Sequence, residues 1–122
     1  MPSYRVQRLN EDVLREMTAL LREMKDPRVQ EAMLSVVKVD LASDLTSCRV
    51  YVSSLHGIES ARKAVSALKN AAGFLRHELG QRVQMRHTPE LRFIADDSIE
   101  HSAEIARILG QLSKEDGSGH ED

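Results

Sequence analysis

The chain has no tryptophan, one cysteine and only 3% aromatic residues among 122. So few rings require an aliphatic core of Val, Leu, Ile, Met and Ala. They argue against a ligand pocket walled by stacked rings, and against a sheet that binds RNA by stacking bases on Phe and Tyr. With Cys48 alone there is no internal disulfide and no cysteine-based zinc site. Histidines 56, 77, 87, 101 and 120 lack His-x-x-x-His or His-Glu-x-x-His spacing, so no metal is expected. No apolar run approaches the ~18 residues that span a bilayer. Met1-Pro2-Ser3-Tyr4-Arg5 does not read as a signal peptide, so a cytoplasmic protein is expected. Glycine-rich phosphate loops, nucleophile elbows and Ser-His-Asp constellations are missing too. The expectation is a protein without catalysis, cofactor or small-molecule substrate.

What is present is one domain's worth of chain, 41% hydrophobic and 30% charged. The net charge of −2 hides an uneven distribution. From Asp96 onward there are two basic and eight acidic residues. Between Arg62 and Arg92 there are seven basic residues against Glu78 and Glu90. A basic middle beside an acidic end points to a polyanionic partner.

Val6, Leu9, Val13, Met17, Leu20 and Met24 recur at three- and four-residue steps, one stripe of an amphipathic helix that stops at Asp26-Pro27. Leu34 to Leu41 reads as a strand with Val37, Val39 and Leu41 on one face. Ala42–Leu45 reads as a turn, and Thr46 to Ser53 as a second strand with Cys48, Val50 and Val52 inward. Together they make an antiparallel hairpin. Helical stripes follow at Ile58, Ala61, Val65, Leu68 and at Leu75, Leu79, Val83. A bend at Ala71-Ala72-Gly73 separates them, and Gly80 is a further weak point in the second, which runs to about Met85. After His87-Thr88-Pro89, Leu91–Ala95 reads as a third strand. Asp97 or Ser98 caps a last helix, and residues 113–122 read as a disordered acidic tail. This predicts an α+β domain over residues 1–112, α-β-β-α-(kink)-α-β-α, with helices covering one face of a three-stranded sheet.

These pieces resemble ribosome-binding factor A over residues ~3–112. The resemblance is carried by Arg5-Val6 with Leu9-Asn10-Glu11, Asp26-Pro27-Arg28-Val29, Ser35-Val36-Val37-Lys38-Val39 with Ser43-Asp44-Leu45, and Val50-Tyr51-Val52-Ser53. It continues through Ala71-Ala72-Gly73, His87-Thr88-Pro89-Glu90-Leu91-Arg92-Phe93 and Asp96-Asp97-Ser98-Ile99. Each piece is weak alone; their joint order is specific. The resemblance implies a type II KH-like fold whose Gly-x-x-Gly loop is replaced by an Ala-x-Gly kink, with Ala71 and Gly73 in those places. It also implies binding to the small (30S) ribosomal subunit and its 16S rRNA, a part in late maturation and rRNA processing, and importance in the cold.

On this reading RNA meets the bend, where small side chains permit close approach and a helix N-terminus favours phosphate. Arg62, Lys63, Lys69, Arg76, Arg82 and Arg86 are candidate contacts, with Arg28 secondary. The same cations could be an ordinary solvated helix face, Gly73 a packing glycine, and Asp26-Pro27-Arg28 only a turn. Cys48 reads as inert core, and Asp96 and Asp97 as a strand end followed by a helix cap. Two other functions remain open: a generic KH-type binder of single-stranded nucleic acid, and a protein-interaction module docking an acidic partner. No coiled-coil seam argues for a dimer, so a monomer is expected.

Overall fold

The computed structural model describes residues 4–97 and 105–111. Its elements run α1 (Tyr4–Glu23), α2 (Pro27–Ala32), β1 (Leu34–Leu41), β2 (Ser47–Ser54), α3 (Ile58–Asn70), α4 (Ala72–Arg82) and β3 (Glu90–Ala95). This is the type II KH-like order expected, with one helix added. Helix α1 buries Leu9, Val13, Met17, Leu20 and Leu21 along its apolar stripe. It ends before Asp26, whose extended backbone (φ −71°, ψ 124°) is what a following proline imposes.

The Asp-Pro pair also starts something. The Asp26 carboxylate accepts the Arg28 N–H at 2.9 Å, and Pro27 occupies the first turn, where no N–H is needed. Helix α2 was not expected from periodicity, because its six residues bury only Val29 and Ala32. Met33 terminates it in the left-handed region, φ 49°.

Strands β1 and β2 pair antiparallel, and their register slips between Val36 and Lys38. The extra residue is Val37, 37% exposed, so the expected single face of Val37, Val39 and Leu41 is corrected. Leu34 and Val36 face the core before the bulge, and Val39 and Leu41 after it. Period-two reasoning carried straight through an inserted residue lands on the wrong side. In the connecting turn the Asp44 carboxylate accepts the Thr46 N–H (3.1 Å) and hydroxyl (2.8 Å). These bonds hold that carboxyl below its ordinary value.

The third strand pairs parallel to β2, giving the order β1-β2-β3. A parallel neighbour needs a long crossover; α3 and α4 are that crossover. Val50, Val52, Leu91 and Phe93 meet Val13, Met17, Leu68, Leu75 and Leu79 in one aliphatic core. Each fully buried Leu or Met contributes about 1.5–3 kcal/mol. Cys48 lies in that core, as expected of an inert thiol. Burial, and secondarily the Asp40 charge, push it up to about 12. The strand positions that alternate with the core residues carry Lys38, Arg49, Tyr51 and Arg92, with the Lys38 ammonium 5.6 Å from the Tyr51 ring centre.

Helix α4 stops at Arg82 rather than near Met85, because Val83 is extended (φ −117°, ψ 127°) while its N–H still closes on the Leu79 carbonyl. Gly80 is a close-approach position rather than a weak point: a Cβ there would lie 2.6 Å from the Thr88 hydroxyl. Residues 105–111 are helical, as expected of the last helix. Its start and the acidic tail lie outside the described residues.

Candidate nucleic-acid interface

The bend falls at the first residue of Ala71-Ala72-Gly73, as expected of that stretch. Ala71 (φ −97°, ψ 8°) ends α3 and starts α4. Its N–H closes on the Ala67 and Leu68 carbonyls at 3.1 Å, and its carbonyl accepts from Leu75 at 2.9 Å. Gly73 lies in the first turn of α4. It has no positive φ, and a Cβ added to it would meet nothing within 4 Å. A packing role for Gly73 finds no support among the described residues, since an added methyl would crowd none of their atoms. No side chain caps α4, and its first turn holds no acidic residue.

A cleft of about 550 Å³ opens between this bend and strand β3, lined by Lys69, Gly73, Arg76, Glu90 and Arg92 among others. Arg92 and Glu90, an ion pair at 3.2 Å, were not among the candidate contacts. The alternation of β3 was the available signal: with Leu91 and Phe93 buried, Arg92 must point out.

The candidate cations divide by what holds them. Arg82 forks onto Glu23 of α1 at 2.8 and 3.3 Å, with Glu78 and Glu16 at 3.9 and 4.0 Å. Hydrogen bonding to Arg82 lowers the Glu23 carboxyl from its ordinary value. Arg28 is similarly tied to Asp26, at 3.1 and 3.3 Å, and that carboxyl is lowered by the same cause. Arg62 pairs with Glu59 at 2.6 Å. Arg76 donates from Nε and Nη2 to the Thr88 carbonyl at 3.1 and 2.8 Å, which fixes the α4–β3 loop and leaves donors on an exposed guanidinium that has no carboxylate partner among the described residues. Lys63, Lys69 and Arg86 are exposed and have no carboxylate partner among the described residues. The structure thus brings Lys69, Arg76 and Gly73 to one cleft, and it gives Arg82, Arg28 and Arg62 intramolecular partners.

Among the described residues there is no cluster of three potential metal ligands, and no helix long and apolar enough to cross a membrane.

Comparison with known proteins agrees with this picture. The family model for ribosome-binding factor A matches residues 5–109. Ribosome-binding factor A of Caldanaerobacter subterraneus subsp. tengcongensis is 44% identical over 115 residues, 93% of each chain. That of Desulfitobacterium hafniense is 42% identical over 126 residues, 99% of each. The crystal structure of the Thermus thermophilus factor superposes with a TM-score of 0.65 at 30% identity, covering 74% of this chain and 94% of that one. A homology model of the Thermus thermophilus factor, as fitted into the cryo-EM map of a 30S complex with that factor, superposes at 0.57, with 28% identity, covering 78% and 94%. With the bend, the sheet order and the match over residues 5–109 in agreement, the chain belongs to the ribosome-binding factor A family.

Proposed function

We propose that this protein binds the small ribosomal subunit in the cytoplasm, gripping 16S rRNA along the α3–α4 bend, and assists late subunit maturation and rRNA processing without catalysing a reaction. The observation that carries the reading is the pair Lys69 and Arg76, without carboxylate partners among the described residues, in one cleft with the open backbone at Gly73, with Arg86 a further exposed cation beyond α4. Phosphate needs free donors and close access; an arginine already spent on carboxylates offers less of both. Lys63 extends the positive surface along α3. Ala71 sets the angle between the helices, and Arg62 can exchange its exposed Glu59 partner for phosphate at little cost. Arg82 and Arg28 contribute least, being held by Glu23 and Asp26. The 30S complex of the Thermus factor supports the same partner here.

A factor without nucleotide hydrolysis acts by preferring one rRNA conformation over others, which shifts populations in proportion to its differential affinity. The test is the double variant K69E/R86E, which spares Arg76 because that side chain also anchors the α4–β3 loop. Binding to purified immature small subunits should be lost with melting unchanged. Affinity of the parent protein should fall steeply with salt, as counterion release requires. Unchanged binding by the double variant at moderate salt would sink the proposal.

A further inference from the structure

The chain has two phenylalanines, and they live in opposite environments. Phe93 is core, 4% exposed; Phe74, on the first turn of α4, is 59% exposed. Burying such a ring is among the larger favourable contributions a side chain makes to folding, and Phe74 forgoes it. At helical spacing it is followed by His77, Glu78 and Gln81; His77 and Gln81 are exposed, so three planar groups share the outward face of α4, with the half-buried Glu78 beside them. The Gln81 amide nitrogen lies 3.1 Å from His77 Nε2. That contact leaves the amide oxygen of Gln81 and the other ring nitrogen of His77 available to a ligand.

His77 and Gln81 of this row line a second cleft, about 480 Å³, between α4 and the loop to β3. It is lined by Gly73, Arg76, His77, Gln81, His87 and Thr88. The wall is built: Arg76 grips the Thr88 carbonyl, and Gly80 admits the Thr88 hydroxyl where a Cβ would collide. The only carboxylate on α4, Glu78, sits with Arg82 in the cluster against α1.

We infer that this face of α4 receives an unpaired RNA nucleobase, stacked on Phe74 with its edge toward His77 and Gln81. The inference rests on the RNA-binding reading above and adds base recognition to it. An exposed ring beside a cleft that holds Arg76, with α4's one carboxylate drawn toward Arg82, suits a polyanion whose bases have a π-face. An acidic protein groove would meet the same charge but would accept any apolar side chain at position 74. The ligand class is therefore a looped or bulged nucleotide, because a base inside an RNA helix cannot present its face.

The experiment compares F74A, F74L and F74Y in the full chain for binding to purified immature small subunits across a salt series. Melting should be unaffected, since position 74 is exposed. F74A and F74L should each bind roughly tenfold more weakly, the order of one lost base stack, with an unaltered salt slope. F74Y should bind like the parent. F74W, the only tryptophan the protein would then contain, should lose emission on binding, read against the tryptophan-free parent titrated with the same subunits. Parent-like binding by F74A or F74L overturns the inference, and so does a brightened, blue-shifted F74W, the mark of a protein occupant. If K69E/R86E abolishes binding while the position-74 variants do not, this inference alone fails. If K69E/R86E binds normally, the RNA-binding reading fails with it.

Discussion

Arg82 on α4 meets Glu23 at the end of α1 through two hydrogen bonds, 2.8 and 3.3 Å long, across 59 residues of sequence. From sequence Arg82 was one more cation beside the bend. In the fold it straps two helices together, and Glu16 and Glu78 complete its surroundings.

R82Q should therefore leave small-subunit affinity within roughly threefold of the parent, the scale of a lost surface ion pair. It should weaken the fold slightly, in a manner that depends on pH. The Glu23 carboxyl lies below its ordinary 4.5 when folded, so it contributes stability in full above that value. The contribution disappears as pH falls through the lowered folded value. The melting difference between R82Q and parent should hold at neutral pH and vanish in acid. A difference that grows on acidification would contradict the assignment.

G73A should be stable and functionally impaired. With an ordinary backbone angle and nothing within 4 Å, alanine costs no strain and gains up to about 1 kcal/mol of helix propensity. The added methyl stands where RNA is proposed to approach, so binding to small subunits should weaken while Tm holds or rises. Thermal melts with co-sedimentation check both halves.

G80A should behave in the opposite sense. Its Cβ would press on the Thr88 hydroxyl at 2.6 Å, and overpacking of this kind costs about 1–3 kcal/mol. Removing that hydroxyl removes the objection. In a T88A background the same glycine-to-alanine change should stabilise, by up to about 1 kcal/mol. A denaturant-unfolding cycle of the four proteins measures the reversal; simple additivity would refute the contact.

The β1 bulge separates Val37 from Val39. V37T should be nearly neutral, whereas V39A should cost about 2 kcal/mol, since Val39 is 8% exposed and joins the core. Equal costs at the two positions would mean that the strand runs without the inserted residue.

Much of this fold could be read from hydrophobic spacing. The stripe from Val6 to Leu20, the Cys48–Val50–Val52 alternation and the Leu91/Phe93 pair all became core, because long elements give periodicity many chances to repeat. Helix α2 escaped notice because two buried residues make no period. The bulge escaped because nothing in Val36-Val37-Lys38 marks which valine is extra. The bend was legible as Ala71-Ala72-Gly73, but not which of the three turns the chain; Ala71 does so without leaving ordinary backbone angles. Charge was the least legible feature. Arg76 and Arg82 look alike in a sequence six residues apart; only folding gives one the Thr88 carbonyl and adds Glu16 and Glu23 of α1 to the other's own-helix neighbour Glu78. The stripe Leu75, Leu79, Val83 already left Phe74 off the inward face, but an exposed ring by itself names no role.

Cys48 lies on the middle strand with no accessible surface, and burial deprives it of thiolate character. As the single thiol in the chain, it makes the molecule its own opening sensor. Its side chain points with those of Val50 and Val52 into the core, so an alkylating reagent can reach it only when that face of the sheet is uncovered. Its labelling rate should therefore track the rarest and most complete excursion from the native state, and bound subunits should slow that rate in proportion to the affinity they supply.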